Sequence, residues 1–95
     1  MKFKDVNFKD KQKFRGYVIT EIFLRLEQKL PRGLSRVLIY RYLNILIDEC
    51  DFNPYTKVFY DPDSHSKFNY DFLAEVARGY IQEHVNDFIL FNVKD

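Results

Sequence analysis

With 95 residues, the chain is long enough for one compact domain over residues 1–95 and too short for a second core. Its composition, 46% hydrophobic and 18% aromatic, argues against a disordered chain. A single cysteine excludes an intrachain disulfide, and no apolar run is long enough to span a bilayer, so we expect a cytoplasmic protein without a membrane partner.

The charged residues are unevenly distributed along the chain. Residues 1–41 hold eleven basic and four acidic side chains, a balance of +7, whereas residues 42–95 hold four basic and ten acidic ones, a balance of −6. The net charge of +1 conceals this split. The two halves have to be neutralised by folding against each other, by a partner, or by a second copy of the chain.

A first helix is predicted over residues 11–30. Asp10 is suited to cap its N-terminus, and the Pro31–Gly33 turn follows its end. Most of its apolar residues gather on one stripe, but Tyr17 and Leu24 fall on the opposite side, seven residues apart. The helix therefore has a main apolar face and a minor one.

A second helix is predicted over residues 36–50, with Ser35 as its N-cap. Its apolar residues cover nearly the whole circumference and leave a narrow polar arc. A helix of this kind has to be surrounded, so we expect it to be the central element of a three-helix core and to lie in part in a subunit interface.

The remaining predicted elements are a third helix and short strands. A one-sided apolar stripe predicts the helix from residue 69 or 70 to about residue 87. Strand-forming residues occupy 56–60 and 89–93, with a weaker signal over 2–8, which predicts a minor sheet of two or three strands. The expected fold class is mainly α, or small α+β.

The tyrosine content favours a protein-interaction module. The chain has more apolar and Tyr surface than we expect a monomer of this size to enclose, and Tyr is favoured at interfaces; an ordinary tyrosine-rich core is the alternative. The residues predicted to contact a protein partner are Tyr17, Leu24, Tyr42, Tyr55 and Tyr60. The partner is expected to include the chain itself, as a homo-oligomer, and the segregated charges favour head-to-tail contacts.

Small size and aromatic richness without catalytic motifs would suit an accessory protein of a virus or a mobile element, either a host-factor inhibitor or an assembly subunit. The alternative function is that of a small nucleic-acid-binding regulator, because Lys and Arg neutralise phosphates and exposed aromatic rings stack on bases. The residues predicted to bind nucleic acid in that case are Lys9, Lys11, Lys13, Arg15, Lys29, Arg32 and Arg36. Against it, the chain is nearly neutral, whereas such domains are usually strongly basic.

No catalytic, metal or cofactor site is predicted. Asp61, Asp63 and His65 have an alternate spacing that suits metal ligands, but turn formation explains the same residues. His84 lies in the predicted stripe of the third helix, where a partly buried imidazole usually has a structural partner. The acidic neighbours of Cys50 raise the pKa of its thiol rather than activate it. We therefore expect a protein that is not an enzyme.

Overall fold

The computed structural model describes residues 1–89, which form three α-helices and one small antiparallel sheet. The helices are α1 (Lys11–Leu26), α2 (Arg36–Glu49) and α3 (Tyr70–Glu83). The strands are β1 (Asp51–Asn53), β2 (Val58–Tyr60) and β3 (Lys67–Phe68), in the order β1–β2–β3. Short 3-10 helical turns cover Phe3–Asp5, Glu27–Lys29 and Val85–Phe88. The predicted fold class, mainly α with a minor sheet, is confirmed.

The helices begin where predicted, but the first and third end earlier. The first helix is α-helical to Leu26 and continues as the 3-10 turn Glu27–Lys29. The third ends at Glu83, because His84 leaves helical geometry at φ −125° and ψ 37°. Terminal 3-10 turns are common since they satisfy carbonyls that lack a partner at a helix end.

Side-chain caps explain where two of the helices begin. The backbone N–H of Leu38 donates to Ser35 Oγ at 3.2 Å, and that of Phe72 donates to Asn69 Oδ1 at 2.7 Å. Asp10 is at the predicted N-cap of α1, but its backbone is left-handed with φ 62° and its carboxylate accepts no capping hydrogen bond. The first amides of α1 therefore have no side-chain acceptor in the described residues.

The central position in the fold belongs to α1 rather than to α2. Helix α1 packs against both α2 and α3 and buries Val18, Ile19, Ile22, Phe23 and Leu26. Helix α2 buries Ile39, Leu43 and Ile47. On its outer side, Val37 is 67% exposed and Ile45 is 57% exposed. An apolar pattern around a whole helix does not specify which face is covered, and here one face stays in water.

Strand β2 lies within the predicted strand 56–60, but its partners differ from those expected. It pairs with β1 in the register Phe52↔Phe59 and with β3 in the register Phe59↔Phe68. Both partners are near β2 in the sequence, so pairing closes short loops at a low entropic cost.

Within the described residues, neither of the other predicted strands adds a full strand to this sheet, although Lys2 makes a single antiparallel bridge to Asp51 of β1. Segment 2–8 makes one isolated bridge, at Lys2, and then forms a 3-10 turn that places the first phenylalanine in the core. Of segment 89–93, Ile89 makes an isolated bridge, and 90–93 lie outside the described residues. The strand composition of these segments did not specify their pairing.

An aromatic cluster joins the N-terminal segment and the sheet to the helices. Phe3, Phe52 and Phe59 are at most 2% exposed. The rings of Phe3 and Phe52 meet edge to face, with centroids 5.0 Å apart, and those of Phe52 and Phe59 lie 4.8 Å apart. Phe8 and Phe14 pack against the same cluster and are half-buried.

Ion pairs between the two charged halves of the sequence compensate much of their charge within one chain. These pairs have N···O distances of 2.5 to 3.0 Å and join the Met1 amine to Asp51, Lys2 and Lys4 to Glu49, Arg15 to Asp48, Arg25 to Asp71, and Lys29 to Glu75. Basic residues of the first half thus pair with acidic residues of the second half within one chain, without a second copy of it.

The Glu49 ion pairs predict a dependence of stability on pH. Hydrogen bonds from Lys2 and Lys4 lower the pKa of Glu49 from an ordinary 4.5 to about 2. Because the pKa is lower in the folded state, this stabilisation is complete above about pH 4.5 and is lost as the pH falls towards 2. We expect Glu49→Gln to lower the thermal midpoint, measured by circular dichroism, at neutral pH and to make it fall less steeply below pH 4.5.

The control for this prediction is Glu83→Gln. Glu83 is exposed and forms no ion pair within residues 1–89, so its replacement should leave both the midpoint and its pH dependence close to those of the parent chain. Identical pH profiles for the Glu49 variant and the parent would contradict the role given to the Lys2 and Lys4 pairs.

None of the helices within residues 1–89 is both long enough and apolar enough to cross a bilayer.

Candidate functional site

An apolar cleft lies between α2 and the C-terminal part of α3, and we call it the α2–α3 cleft. It has a volume of about 210 Å³ and is lined by Leu38, Arg41, Tyr42, Ile45, Tyr80, Asp87 and Phe88. The α2 residues recur at spacings of three and four, which places them on one face of that helix. The cleft therefore has an apolar floor between two charged residues.

Stacked rings form the floor of this cleft. Tyr42 and Tyr80 are nearly parallel, with centroids 4.5 Å apart and planes 6° apart, and Phe88 meets Tyr42 edge to face at 5.8 Å. Burial raises the pKa of Tyr42 to about 12, so its hydroxyl stays neutral at physiological pH. The floor of the cleft is thus a stack of aromatic rings.

His84 supports this floor from the end of α3. Its ring stacks on Tyr80 with centroids 4.2 Å apart, and its Nδ1 lies 2.9 Å from the Tyr80 carbonyl oxygen. The structural partner expected for His84 is therefore present. The side chain is exposed, however, because α3 ends before it and takes it out of the apolar stripe in which the sequence placed it.

The rim of the cleft combines exposed apolar side chains with two charges. Val37, Arg41 and Ile45 follow one another at four-residue intervals along the exposed side of α2. Asp87 comes from the 3-10 turn after α3. Within residues 1–89, neither Arg41 nor Asp87 forms an ion pair. Both side chains are exposed, so within the described part of the chain neither charge is occupied by an intramolecular ion pair.

The five residues predicted to contact a partner are spread over several surfaces. Tyr42 lines the α2–α3 cleft. Tyr17 and Leu24 are 56% and 49% exposed on α1, and Tyr55 is 94% exposed in the turn between β1 and β2. Tyr60 is half-buried on β2, where its hydroxyl accepts a hydrogen bond from the N-terminal amine at 3.3 Å. The fold brings Tyr42 alone of these to the cleft.

Sequence analysis missed several residues of the cleft and its rim: Val37, Leu38, Arg41, Ile45, Tyr80, Asp87 and Phe88. The signal for the α2 members was the apolar pattern around the entire helix, which has more apolar residues than one packed face can bury. Since α1 covers one side, the excess apolar residues mark the side that faces outward.

A second concave surface lies at the start of α1, and we call it the α1 basic cleft. It has a volume of about 300 Å³ and is lined by Phe8, Lys9, Asp10, Lys13, Phe14, Tyr17 and Lys57. Lys57 reaches it from the β1–β2 turn, where its backbone is left-handed with φ 59°, and its Nζ lies 5.0 Å from the centre of the Phe8 ring. The fold adds this lysine to a cluster that the sequence shows only in part.

The basic residues predicted to bind nucleic acid divide into two groups. The side chains of Arg15, Lys29 and Arg36 face carboxylates, and the Lys11 amine donates to the backbone carbonyls of Lys4 and Val6. Lys9 and Lys13 line the α1 basic cleft, and Arg32 lies in the turn before α2. Intramolecular contacts thus occupy about half of the predicted set.

The acidic turn after β2 is held by its own hydrogen bonds. The Ser64 hydroxyl donates to the Asp61 carboxylate at 2.7 Å, and the backbone N–H of Asp63 donates to the same carboxylate at 3.2 Å. These bonds, chiefly that from Ser64, lower the pKa of Asp61. Within residues 1–89, no group of three His, Cys, Asp or Glu side chains is placed to hold a metal ion.

Cys50 is not activated as a nucleophile. Burial raises the pKa of its thiol to about 11, and the neighbouring carboxylates of Asp51 and Glu49 add to the shift. The thiol is therefore protonated at neutral pH and packs against the core as a small apolar group, as the sequence predicts.

Comparison of this chain with protein-family models, with curated proteins and with solved structures finds no match.

Proposed function

We propose that the protein is a non-enzymatic interaction module that binds a second copy of itself through the α2–α3 cleft. The observation that carries the proposal is the exposure of Val37 and Ile45, 67% and 57%, beside an aromatic floor with one charge of each sign that forms no ion pair within residues 1–89. Covering apolar surface stabilises a complex by roughly 25 cal/mol per Å² before the costs of association. Apolar surface rimmed by polar groups often marks an interface.

The two charges of the rim favour a two-fold contact. In such a contact the same surface is used twice, and each residue of one copy faces its complement on the other. Arg41 of one copy then meets Asp87 of the second, and the reverse pair forms at the same time. The surface is therefore complementary to itself in charge as well as in apolar character.

A two-fold contact at this cleft replaces the head-to-tail contact that the sequence favours. The head-to-tail arrangement relied on the opposite charges of the two halves, but ion pairs inside the chain compensate much of that charge. Of the two accessory roles suggested by the sequence, self-association favours an assembly subunit over a host-factor inhibitor.

Light scattering over a range of protein and salt concentrations tests the proposal. We expect a species of twice the monomer mass of 11.6 kDa at high concentration, with a Kd on the order of 10–100 µM for so small an apolar contact. It should persist from about 50 mM to about 500 mM salt, because screening weakens the rim charges but not the apolar contact. A monomer throughout would contradict the proposal, and a dimer seen at low salt alone would favour the electrostatic head-to-tail version.

A pair of matched variants locates the contact. Ile45→Ser removes an apolar side chain from the rim of the cleft, and we expect it to weaken the dimer at least tenfold. Leu24→Ser makes a comparable change on α1, where the side chain is 49% exposed, and it should leave the dimer unchanged. Equal effects of the two substitutions would show that the α2–α3 cleft is not the interface.

A further inference from the structure

Ion pairing within the chain leaves one group of lysines without carboxylate partners. Lys9, Lys13 and Lys57 line the α1 basic cleft, and none of them forms an ion pair within residues 1–89. Asp10 is the one carboxylate of that lining, so three cations stand against one anion and the local charge is +2. The cleft therefore attracts an anionic ligand.

The start of α1 adds donors to the same cleft. The N-cap residue Asp10 has a left-handed backbone and makes no side-chain capping bond, so the first amides of this 16-residue helix have no side-chain acceptor in the described residues. Uncapped amides and the positive end of the helix dipole both favour phosphate oxygens. The lysine side chains and the backbone amides thus both favour binding of a phosphate group.

An exposed aromatic ring stands beside these cations. Tyr17 follows Lys13 by one helical turn, lines the same cleft and is 56% exposed. Its ring meets Tyr70 edge to face, with centroids 6.2 Å apart, which restrains its orientation. Phe8 and Phe14, also in the lining, pack against the core cluster and cannot leave it without loss of stability.

We propose that the α1 basic cleft binds single-stranded nucleic acid, with phosphates on Lys9, Lys13 and Lys57 and one base stacked on Tyr17. Single strands offer a free base face and a phosphate within a few ångströms of each other, which matches a tyrosine next to lysines. A duplex keeps its bases stacked inside and would use the lysines alone. A membrane surface would need apolar side chains free to insert, and the two phenylalanines of the cleft are held in the core.

Fluorescence anisotropy with a labelled oligothymidylate of about 12 nucleotides tests the proposal. Neutralising three phosphates of a single strand gives a slope of log K against log salt concentration near −2, about −0.7 for each contact. We expect this slope for the parent protein and a slope closer to zero by about 0.7 for Lys13→Ala. Lys67→Ala is the matched control, because Lys67 is exposed on β3 and lies outside the cleft.

Tyr17 variants separate stacking from charge. Tyr17→Leu should weaken binding roughly tenfold without changing the salt slope, whereas Tyr17→Phe should retain the affinity, because base stacking needs the ring and not the hydroxyl. An oligomer with abasic sites should bind the parent protein as weakly as the ordinary oligomer binds Tyr17→Leu. Circular dichroism of each variant checks that the fold is intact.

Three results would overturn the proposal: equal affinity for the single strand and for a duplex of the same length, equal affinity for the abasic oligomer, or equal losses from Lys67→Ala and Lys13→Ala. The first two would show that the bases are not contacted, and the third would show unspecific attraction to the overall charge. The α1 basic cleft shares no lining residue with the α2–α3 cleft. Self-association and nucleic-acid binding can therefore succeed or fail independently.

Discussion

Phe52→Ala should destabilise the protein by about 3–5 kcal/mol, the range found when a buried phenylalanine is truncated. Phe52 is 1% exposed, and its ring lies within 4.8 to 5.7 Å of four other phenylalanine rings, measured between centroids. Its removal loses the transfer free energy of the ring and leaves a cavity that the neighbouring rings cannot fill without breaking their contacts with one another. Domains of this size have a total stability of roughly 5–15 kcal/mol, so one substitution removes a large part of it.

Urea denaturation followed by circular dichroism measures this loss as a lower transition midpoint. The matched control is Phe72→Ala, which removes the same ring from α3, where it is 47% exposed and stacks on Phe68 with centroids 4.8 Å apart. We expect a cost below about 1 kcal/mol there, because nearly half of the side chain is already in water and less apolar area is lost. Comparable losses from the two substitutions would contradict the placement of Phe52 in the core.

Reversing one rim charge should weaken the proposed dimer by at least tenfold, and reversing both should restore it. In the two-fold contact Arg41 of one copy faces Asp87 of the other, so Arg41→Asp places two carboxylates together at two symmetric positions. Asp87→Arg does the same with two cations. The double variant exchanges the charges and recreates both pairs, so its Kd should return to within a few fold of the parent value.

Sedimentation equilibrium of the parent, the two single variants and the double variant gives the four dimer dissociation constants of a double-mutant cycle. The side chains are exposed in the monomer and pair with no carboxylate or amine within residues 1–89, so thermal midpoints measured at low concentration should be nearly unchanged. A double variant as weak as the product of the single effects would show that the two residues do not meet across the interface.

The helices were predictable from local signals. Apolar periodicity located all three. Ser35 and Asn69 cap the beginnings of α2 and α3, and their side chains accept hydrogen bonds from backbone N–H groups of the first turn. The end of α3 was harder to predict from the sequence. The apolar stripe continues past Glu83, whereas the backbone leaves helical geometry at His84. Periodicity describes which residues could face the core, not where the hydrogen-bond ladder stops.

The sheet and the functional surfaces were less predictable because they depend on contacts between distant parts of the chain. The strand signal at 56–60 was correct for 58–60, whereas 56 and 57 lie in the turn before β2. Composition does not specify a partner, and β2 pairs with its two neighbours in the sequence. Of the tyrosines predicted to bind a partner, Tyr42 alone lines the cleft, since aromatic content carries no information on which rings become neighbours.

The sequence by itself determined the fold class, the three helices and the strong separation of charge, because periodicity, caps and composition act over a few residues at a time. The tertiary structure decided which charges remain available and which apolar side stays exposed. It placed α1 rather than α2 at the centre, paired Lys2, Lys4 and Arg15 with carboxylates of the other half, and brought Lys57 to Lys9 and Lys13. Surface chemistry of this kind follows from side chains that are far apart in the chain and meet only when it folds.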